Sequence, residues 1–453
     1  MKPRDRQILQ IALPSIVSNI TVPLLGLIDV AIVGHLGSYI GAIAVGGMLF
    51  NIIYWIFGFL RMGTSGMTSQ AFGKRDLPEV VRLLLRSVSI GLAVAFCLIL
   101  LQTPIRQGAF LLIHPTDEVR EMATLYFHIC IWGAPAMLGL YGLTGWFIGM
   151  QNSRIPMYIA ITQNVVNIIA SLGLVYLCGM KVEGVALGTL IAQYAGFLMG
   201  IVLWMHNYGR LKRFWEIKNY KLKIKGGEGA GIWEKGAMFR FFQVNRDIFL
   251  RTLCLVAVTL FFTSAGASQG EIILAVNTLL MQLLFSYVMD GLAYAGEALS
   301  GRYIGARNRE AFTDTVRHLF GWGAVIAVLF TLVYALGGNA FLGLLTDDKE
   351  VIAVADTYFY WALAVPAVGI AAFIWDGIFI GATATRGMLL SMAAAAVSFF
   401  ILYYGLHPVL ANHALWLAFL TYLLMRGVVQ TGLSREVIRR AFPSKKEPAW
   451  REG

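Results

Sequence analysis

One carboxylate stands alone in an apolar run of the first predicted helix. Asp29 is the only ionisable residue between Pro23 and Gly34, in a run long enough to cross a bilayer. An acid in the middle of a membrane costs about 2.5–3.5 kcal/mol, so it is expected to face a protein cavity and to serve a function. Burial disfavours the charged form of a carboxylate, so Asp29 can bind and release a proton near neutral pH. In the alternative interpretation it only hydrogen-bonds a neighbouring helix.

Polar residues of the fifth predicted span are candidate partners for this acid. Asn164, Asn167 and Ser171 are spaced three and four residues apart, so they lie on one face of a helix. They form a polar stripe that can reach Asp29 if the first and fifth spans pack together. Alternatively, the stripe supplies hydrogen bonds between helices and has no role in transport.

Two prolines precede Asp29 in the first span. Pro14 and Pro23 each remove one helix hydrogen bond and can kink the helix. The sequence is compatible with static curvature and also with a helix that bends when Asp29 is protonated.

Four further acids lie deep inside predicted spans, all in the second half of the chain: Asp247, Asp290, Glu297 and Asp376. Asp290 and Glu297 are seven residues apart, two turns along one helix face, with Tyr287 and Tyr294 nearby. Two carboxylates and aromatic rings suit an organic cation, by charge and by cation–π contact. Polar contacts between helices explain the same residues equally well. If these acids line a cavity with Asp29, its wall is acidic on both sides.

A second charged group lies near the start of the seventh span, at Asn245, Arg246, Asp247 and Arg251. Adjacent residues on a helix point in different directions, so Arg246 and Asp247 are not expected to form a simple pair. Arg251 follows Asp247 by four residues, a spacing that favours an ion pair between them. That pair either fixes the orientation of the helix or takes part in coupling.

The composition is that of a helical membrane protein. Of 453 residues, 58% are hydrophobic and 13% charged, and apolar runs of 18 or more residues recur along the chain. Twelve spans are predicted, at about 7–34, 42–72, 84–106, 119–149, 155–178, 184–206, 237–264, 270–301, 315–337, 350–381, 387–408 and 412–432. The net charge of +11 comes mainly from alternate short loops. This distribution predicts cytoplasmic termini and a multi-pass protein of the inner membrane, and it argues against nucleic-acid binding.

The spans divide six and six around a basic, glycine-rich connection. We predict an amino-terminal lobe at 1–206, a cytoplasmic linker at 207–236, a carboxy-terminal lobe at 237–433 and a basic tail at 434–453. The second spans of the two halves end in similar small and polar residues, which indicates a parallel repeat.

Taken together, several stretches resemble the DinF branch of the multidrug and toxic compound extrusion (MATE) family. They include Asp290-Gly-Leu-Ala-Tyr-Ala-Gly-Glu297 and Asp376-Gly-Ile-Phe-Ile-Gly-Ala-Thr383. The complete set is residues 13–29, 59–66, 245–248, 290–297, 376–383 and 412–418. The resemblance covers nearly the whole chain. It implies twelve helices in two pseudo-symmetric six-helix bundles around a central cleft.

The resemblance also implies export of cationic or amphipathic organic compounds, driven by inward H⁺ or Na⁺. It gives the coupling role to Asp29, the bending role to Pro14 and a supporting role to Asn167, with Asn164 beside it. Many relatives carry an aspartate where this chain has Ser171. A sodium site near Asp29 and Asn167 would therefore lack one charge, which favours protons as the coupling ion.

The sequence thus predicts a secondary active multidrug exporter. There is no Walker A motif for ATP binding. The expected partners are small organic substrates and the lipid bilayer, with no cofactor apart from the coupling ion, and we expect a monomer. Flipping of a lipid-linked precursor is the alternative, although cavity arginines would be expected for an anionic precursor. An integral-membrane enzyme is least favoured, because no clustered catalytic set is visible.

Overall fold

The computed structural model describes residues 3–34, 40–113, 116–211, 232–281, 285–346 and 348–443. Within these ranges, the side chains of residues 22–31, 33–34, 40–42, 44, 112–113, 118, 339–341 and 344–345 are left undescribed. The described chain is helical and contains no strand. Eleven of its helical segments are long and apolar enough to cross a membrane. The remaining predicted span, 7–34, lies on the first helix. The predicted all-helical membrane fold is confirmed.

The described helices cover the predicted spans, although the spans at 42–72, 84–106 and 119–149 are each divided between two helices. The helices are α1 (Pro3–Gly34), α2 (Ile40–Phe57), α3 (Phe59–Gly73), α4 (Leu77–Leu100), α5 (Gln102–Ile113), α6 (Asp117–Cys130), α7 (Ala134–Gly149), α8 (Arg154–Leu172), α9 (Val182–Tyr208), α10 (Lys235–Ala267), α11 (Glu271–Met281), α12 (Phe285–Gly305), α13 (Arg309–Leu345), α14 (Lys349–Gly381), α15 (Thr385–Leu410) and α16 (Asn412–Ala441), with short turns of 3-10 type at Ile131–Gly133 and Gly209–Leu211 and of π type at Gly173–Leu177.

By their packing, the residues form two compact units. The first unit is Val17–Asn245, and the second is Met1–Ile16 together with Arg246–Gly453. In the first unit, α3 and α4 pack on α7, and α8 packs along α9. In the second unit, α12 and α13 pack on α14, and α15 packs along α16. The same arrangement of packed helices therefore occurs in both units.

Backbone details repeat at a constant interval along the chain. Arg75 in the first unit and Arg307 in the second both have positive φ, of 58° and 54°. The same interval separates Gln151 from Thr383, whose φ angles are 63° and 52°. Non-glycine residues rarely adopt this conformation, so its recurrence at matching turns indicates one motif built twice. The expected parallel repeat is visible in the helix order of both units.

The turns at Arg75 and Arg307 are each followed by a residue whose side chain caps the next helix. The carboxylate of Asp76 accepts a hydrogen bond from the backbone amide of Glu79, at 3.2 Å, before α4. Asn308, the residue after Arg307 as Asp76 is after Arg75, accepts from the amide of Ala311 at 2.9 Å, before α13. Asn and Asp are strong N-cap residues because they satisfy an amide that has no partner within the helix.

The first segment of α1 packs with the second unit. Arg4 Nε lies 3.0 Å from Asp314 Oδ2, and Trp322 Nε1 donates to Asp5 Oδ1 at 3.1 Å. Gly291 packs so closely on Ile16 that a Cβ atom at Gly291 would overlap it. The predicted lobes assign all of α1 to the amino-terminal lobe, whereas the contacts of residues 3–16 lie in the second unit.

The other predicted boundaries were a linker at 207–236 and a tail at 434–453. Residues 212–231 of the linker and 444–453 of the tail lie outside the described residues. The domain boundaries therefore stay a prediction.

Candidate functional site

The predicted coupling acid lies on α1. The side chains of Asp29 and Pro23 belong to the undescribed residues. The described part of α1 does contact the polar stripe, because Asn164 Nδ2 donates a hydrogen bond to the backbone carbonyl of Thr21 at 3.2 Å. Thr21 precedes Asp29 by about two helical turns. The first and fifth predicted spans therefore meet at Thr21, and the contact between the stripe and Asp29 stays a prediction.

Asn167 and Ser171 are fully buried on α8. Asn167 Nδ2 donates to Thr189 Oγ1 on α9, at 3.1 Å. Asn167 Oδ1 and Ser171 Oγ have no hydrogen-bond partner within the described part of the chain. A buried polar atom without a partner costs about 1–3 kcal/mol, so an ion or a proton donor bound here would be stabilised.

Close helix packing positions this pair of residues. Gly188 of α9 lies directly against Ser171, and a Cβ atom at Gly188 would overlap Ser171 Oγ. Just beyond Ser171, α8 continues as the π turn Gly173–Leu177, where the Cys178 amide donates to the Gly173 carbonyl at 3.3 Å. Turns of this type occur frequently at functional sites, because they change the direction of a helix face.

A buried polar network crosses three helices of the second unit. Arg251 of α10 and Arg426 of α16 both donate to Asp376 Oδ2 on α14. Gln430, one turn after Arg426, donates through Nε2 to Asp376 Oδ1 at 2.6 Å. All four side chains are buried, between 0% and 7% exposed. The network holds the three helices together by charge-assisted hydrogen bonds.

The predicted ion pair within the seventh span was wrong. Arg251 pairs with Asp376 on another helix, and Asp247 pairs with its neighbour Arg246, whose Nη2 lies 3.0 Å from Asp247 Oδ1. Asp247 also accepts from Thr385 Oγ1, at 3.2 Å. The long side chain of Arg246 can turn toward the next residue, Asp247, and the buried Arg251 pairs with the carboxylate that packing brings close to it. The spacing of residues along one helix determines neither pair.

Two arginines surround the single acid at Asp376, so this group is not acidic overall. A cavity wall that is acidic on both sides stays a prediction. Arg426 and Gln430 were not among the predicted site residues, which in this helix region were intramembrane acids and their neighbours. The available signal was the position of Arg426 inside an apolar run of the last span, because a charged residue at that depth needs a partner.

The other predicted residues are distributed over both units. Glu297 is buried on α12, whereas Asp290, Tyr287 and Tyr294 on that helix are half-buried. Their role in binding an organic cation stays a prediction.

Asn245 lies in the first unit, where its Nδ2 donates to the Phe241 carbonyl at 2.7 Å and its side chain packs against Gly63. Pro14 lies within the continuous helix α1, shortly before Val17, where the residues of that helix join the first unit. Its role in bending stays a prediction.

Comparison with known proteins identifies the family. The MatE family model matches residues 14–172 and again residues 248–405, once in each half. DNA damage-inducible protein F of Escherichia coli (strain K12) is 38% identical over 428 residues, which cover 94% of this chain and 90% of that protein. Protein DETOXIFICATION 44, chloroplastic, of Arabidopsis thaliana is 25% identical over 403 residues, covering 83% and 71% of the two chains.

Solved structures share the fold. A crystal structure described as MATE in the bent conformation superposes with a TM-score of 0.83, at 17% identity, over 97% of this chain and 96% of that one. The double match to the family model agrees with the repeated backbone turns and helix caps. The protein belongs to the MATE family of membrane transporters.

Proposed function

We propose that this transporter exports cationic or amphipathic organic compounds in exchange for protons, with Asp29 as the coupling carboxylate. The observation that carries this proposal is the buried stripe on α8. It places two oxygen atoms without described partners on the helix that contacts α1 two turns before Asp29. An acid carried to such a stripe can exchange a proton or an ion.

The contacts of Asp376 in the second unit make it a poorer candidate than Asp29 for the coupling carboxylate. Asp376 is the acid of the second unit whose contacts are best defined, and it is already paired with Arg251 and Arg426. A carboxylate held by two arginines and an amide is poorly suited to exchange a proton or to hold a sodium ion. Coupling is therefore better served by Asp29 in the first unit.

In the proposed cycle, Asp29 takes up a proton from outside and loses its attraction for a cationic substrate and for the stripe on α8. The segment of α1 after Pro14 then changes its contacts, and the substrate leaves. Loss of the proton to the cytoplasm restores the charged acid. The link between charge and conformation is the differential affinity of the stripe for the two forms of Asp29.

Protons are favoured over sodium because the stripe is neutral. Asn167 and Ser171 offer uncharged oxygen atoms, so a sodium ion there would depend on Asp29 alone for charge compensation. A proton needs only the carboxylate and a hydrogen-bond acceptor, which Asn167 Oδ1 supplies.

Transport in reconstituted vesicles tests the proposal. We expect efflux of a fluorescent organic cation to follow an imposed pH gradient and to be insensitive to a sodium gradient. Asp29→Asn is expected to abolish transport while the protein still inserts and purifies normally. Asp356→Asn, at an exposed position of α14, is the matched control and should transport normally. Full transport by Asp29→Asn would exclude the coupling role, and a response to sodium alone would exclude proton coupling.

Flipping of a lipid-linked precursor is the second candidate, and the buried arginines of the second unit are the observation that favours it. Both arginines are directed at Asp376, so their charge is partly compensated and less available to an anionic headgroup. The same vesicles distinguish the two functions. A flippase would move a fluorescent anionic lipid between leaflets and would leave the organic cation in place.

A further inference from the structure

Two adjoining cavities border the first turns of α13 in the second unit. The larger, of about 790 Å³, is lined by Arg4, Arg309, Arg317, Glu310 and Asp314, among others. The smaller, of about 320 Å³, is lined by Arg317, Gly321, Trp322 and Val325, together with Asp5 and His318. Arg317 lines both, so the two cavities adjoin along α13.

The larger cavity carries an excess of positive charge. Arg4 and Asp314 form an ion pair at 3.0 Å and compensate each other. In the larger cavity Arg309 and Arg317 remain against the single acid Glu310. Asp5 lies in the smaller cavity, where it accepts a hydrogen bond from Trp322 and lies 4.0 Å from His318. Guanidinium groups bind phosphate oxygens in a bidentate manner. The excess of one positive charge in the larger cavity would balance the single negative charge of a phosphodiester. The composition of the cavity therefore suits a singly charged phosphate group.

The smaller cavity is an apolar groove on a membrane-spanning helix. Arg317, Gly321 and Val325 are four residues apart and share one face of α13. Gly321 has no side chain, and a Cβ atom there would meet no atom within 4 Å, which leaves the groove open. Further along the span, Val325, Val328, Leu332 and Leu336 are between 53% and 87% exposed. An exposed apolar face of this extent on a membrane helix is a surface for lipid chains.

We propose that the two cavities together bind one anionic glycerophospholipid. Its phosphodiester lies between Arg309 and Arg317, and one acyl chain follows the groove over Gly321 and Val325. Basic pockets beside apolar helix surfaces at a membrane face are the chemistry that recognises such lipids. A free phosphate would use only the larger cavity. A zwitterionic lipid would bring a second cation into a cavity that already has an excess of positive charge.

The bound lipid would also contact the start of α1. Arg4 lines the larger cavity and is paired with Asp314, while Asp5 lines the smaller cavity and accepts a hydrogen bond from Trp322. Occupation of the cavities would therefore cover the polar contacts that hold residues 3–16 in the second unit. Lipid binding and retention of this segment are expected to reinforce each other.

Native mass spectrometry of the purified full-length protein tests the proposal. The protein is titrated with phosphatidylglycerol or with phosphatidylcholine of the same acyl chains, and retained lipid is counted. We expect phosphatidylglycerol to be retained at lower concentration. Arg309→Gln combined with Arg317→Gln should weaken its binding about thirtyfold, at about 1 kcal/mol for each arginine. Arg439→Gln, near the end of α16 and outside both cavities, is the charge control.

The groove is tested separately from the charge. Gly321→Phe places a ring at the groove, and its Cβ atom meets no atom within 4 Å, so it should reduce lipid retention in a protein that folds normally. Gly337→Phe on the same helix is the control, because a Cβ atom there also meets nothing within 4 Å. Equal retention of both lipids, equal loss in the control variants, or unchanged retention in Gly321→Phe would overturn the proposal. Displacement of the lipid by millimolar inorganic phosphate would overturn it in favour of a simple anion site.

Discussion

Asp376 is the residue at which Arg251, Arg426 and Gln430 of the second unit meet. Two guanidinium groups and one amide donate to its two oxygen atoms, and all four side chains are buried. Arg426 also lies over the rings of Tyr422 and Phe373, with 5.5 and 5.9 Å between its Cζ atom and the ring centroids. Burial makes each charge depend on its partners, because no water is available to replace a lost ion pair.

Asp376→Asn is therefore expected to destabilise the protein strongly. Removing one partner of a buried ion pair costs about 3–5 kcal/mol, and here it leaves two arginines without compensation. The measurement is the temperature at which the detergent-solubilised protein loses its monodisperse peak in size-exclusion chromatography. The double variant Asp376→Asn, Arg426→Gln removes one uncompensated charge and should recover part of the loss. A double variant no more stable than the single one would show that charge compensation is not the role of Asp376.

At the scale of elements, the packing of α8 along α9 determines how close the polar stripe lies to its neighbours. Gly188 permits this approach at Ser171, and Gly196 permits it at Gln163, because neither position has room for a Cβ atom. Small residues at helix contacts are the usual way in which membrane helices approach closely. The stripe on α8 is thus buried because glycines on α9 let the two helices approach closely.

Gly188→Ala is expected to separate the two helices at Ser171. The added methyl group would overlap the serine and cost about 1–3 kcal/mol, as overpacking usually does. It should also slow transport, because the stripe is displaced. Gly209→Ala, just after the end of α9, meets no atom within 4 Å and should leave both stability and transport unchanged. Thermal stability and vesicle efflux measured on both variants check this. Equal behaviour of the two variants would contradict the packing role of Gly188.

At the scale of the whole molecule, the repeat extends to single contacts. Gly145 of α7 packs on the Arg61 carbonyl, and Gly377 of α14 packs on the Ala293 carbonyl. The two glycines are separated along the chain by the same interval as the two carbonyl groups, and this is also the interval between the turns at Arg75 and Arg307. The same close contact between a glycine and a backbone carbonyl group therefore occurs at one helix crossing in each unit.

Gly145→Ala and Gly377→Ala should destabilise the protein to a similar extent. In each case the new methyl group would meet a backbone carbonyl, which cannot move aside as a flexible side chain can. Gly47→Ala in the first unit and Gly405→Ala in the second meet no atom within 4 Å and serve as controls. Thermal unfolding of the four variants provides the comparison. A large effect in one unit and none in the other would contradict the equivalence of the two crossings.

The first helix of the chain belongs to both units. Residues 3–16 pack with the second unit through Arg4 and Asp5, and residues from Val17 onward pack with the first. The first helix of the second half is divided in the same way, between Asn245 and Arg246. Two long apolar helices are thus each shared between two compact units, a feature that hydropathy does not reveal.

The sequence by itself determined the class of fold, the number of spans and the repeat. These follow from the length of apolar runs, the distribution of basic loops and short motifs, all of which are local along the chain. It also placed Asn164, Asn167 and Ser171 on one helix face, because helical periodicity fixes that relation.

Only the tertiary structure decided which charged groups meet. Arg251 had a carboxylate four residues away on its own helix and pairs instead with Asp376 on another. Arg426 and Gln430 reach the same acid from the last helix. Partners on different helices are selected by packing, which depends on contacts between residues far apart in sequence. The same reason explains why residues 3–16 belong with the second unit, since the groups that hold Arg4 and Asp5 lie on α12 and α13, far along the chain.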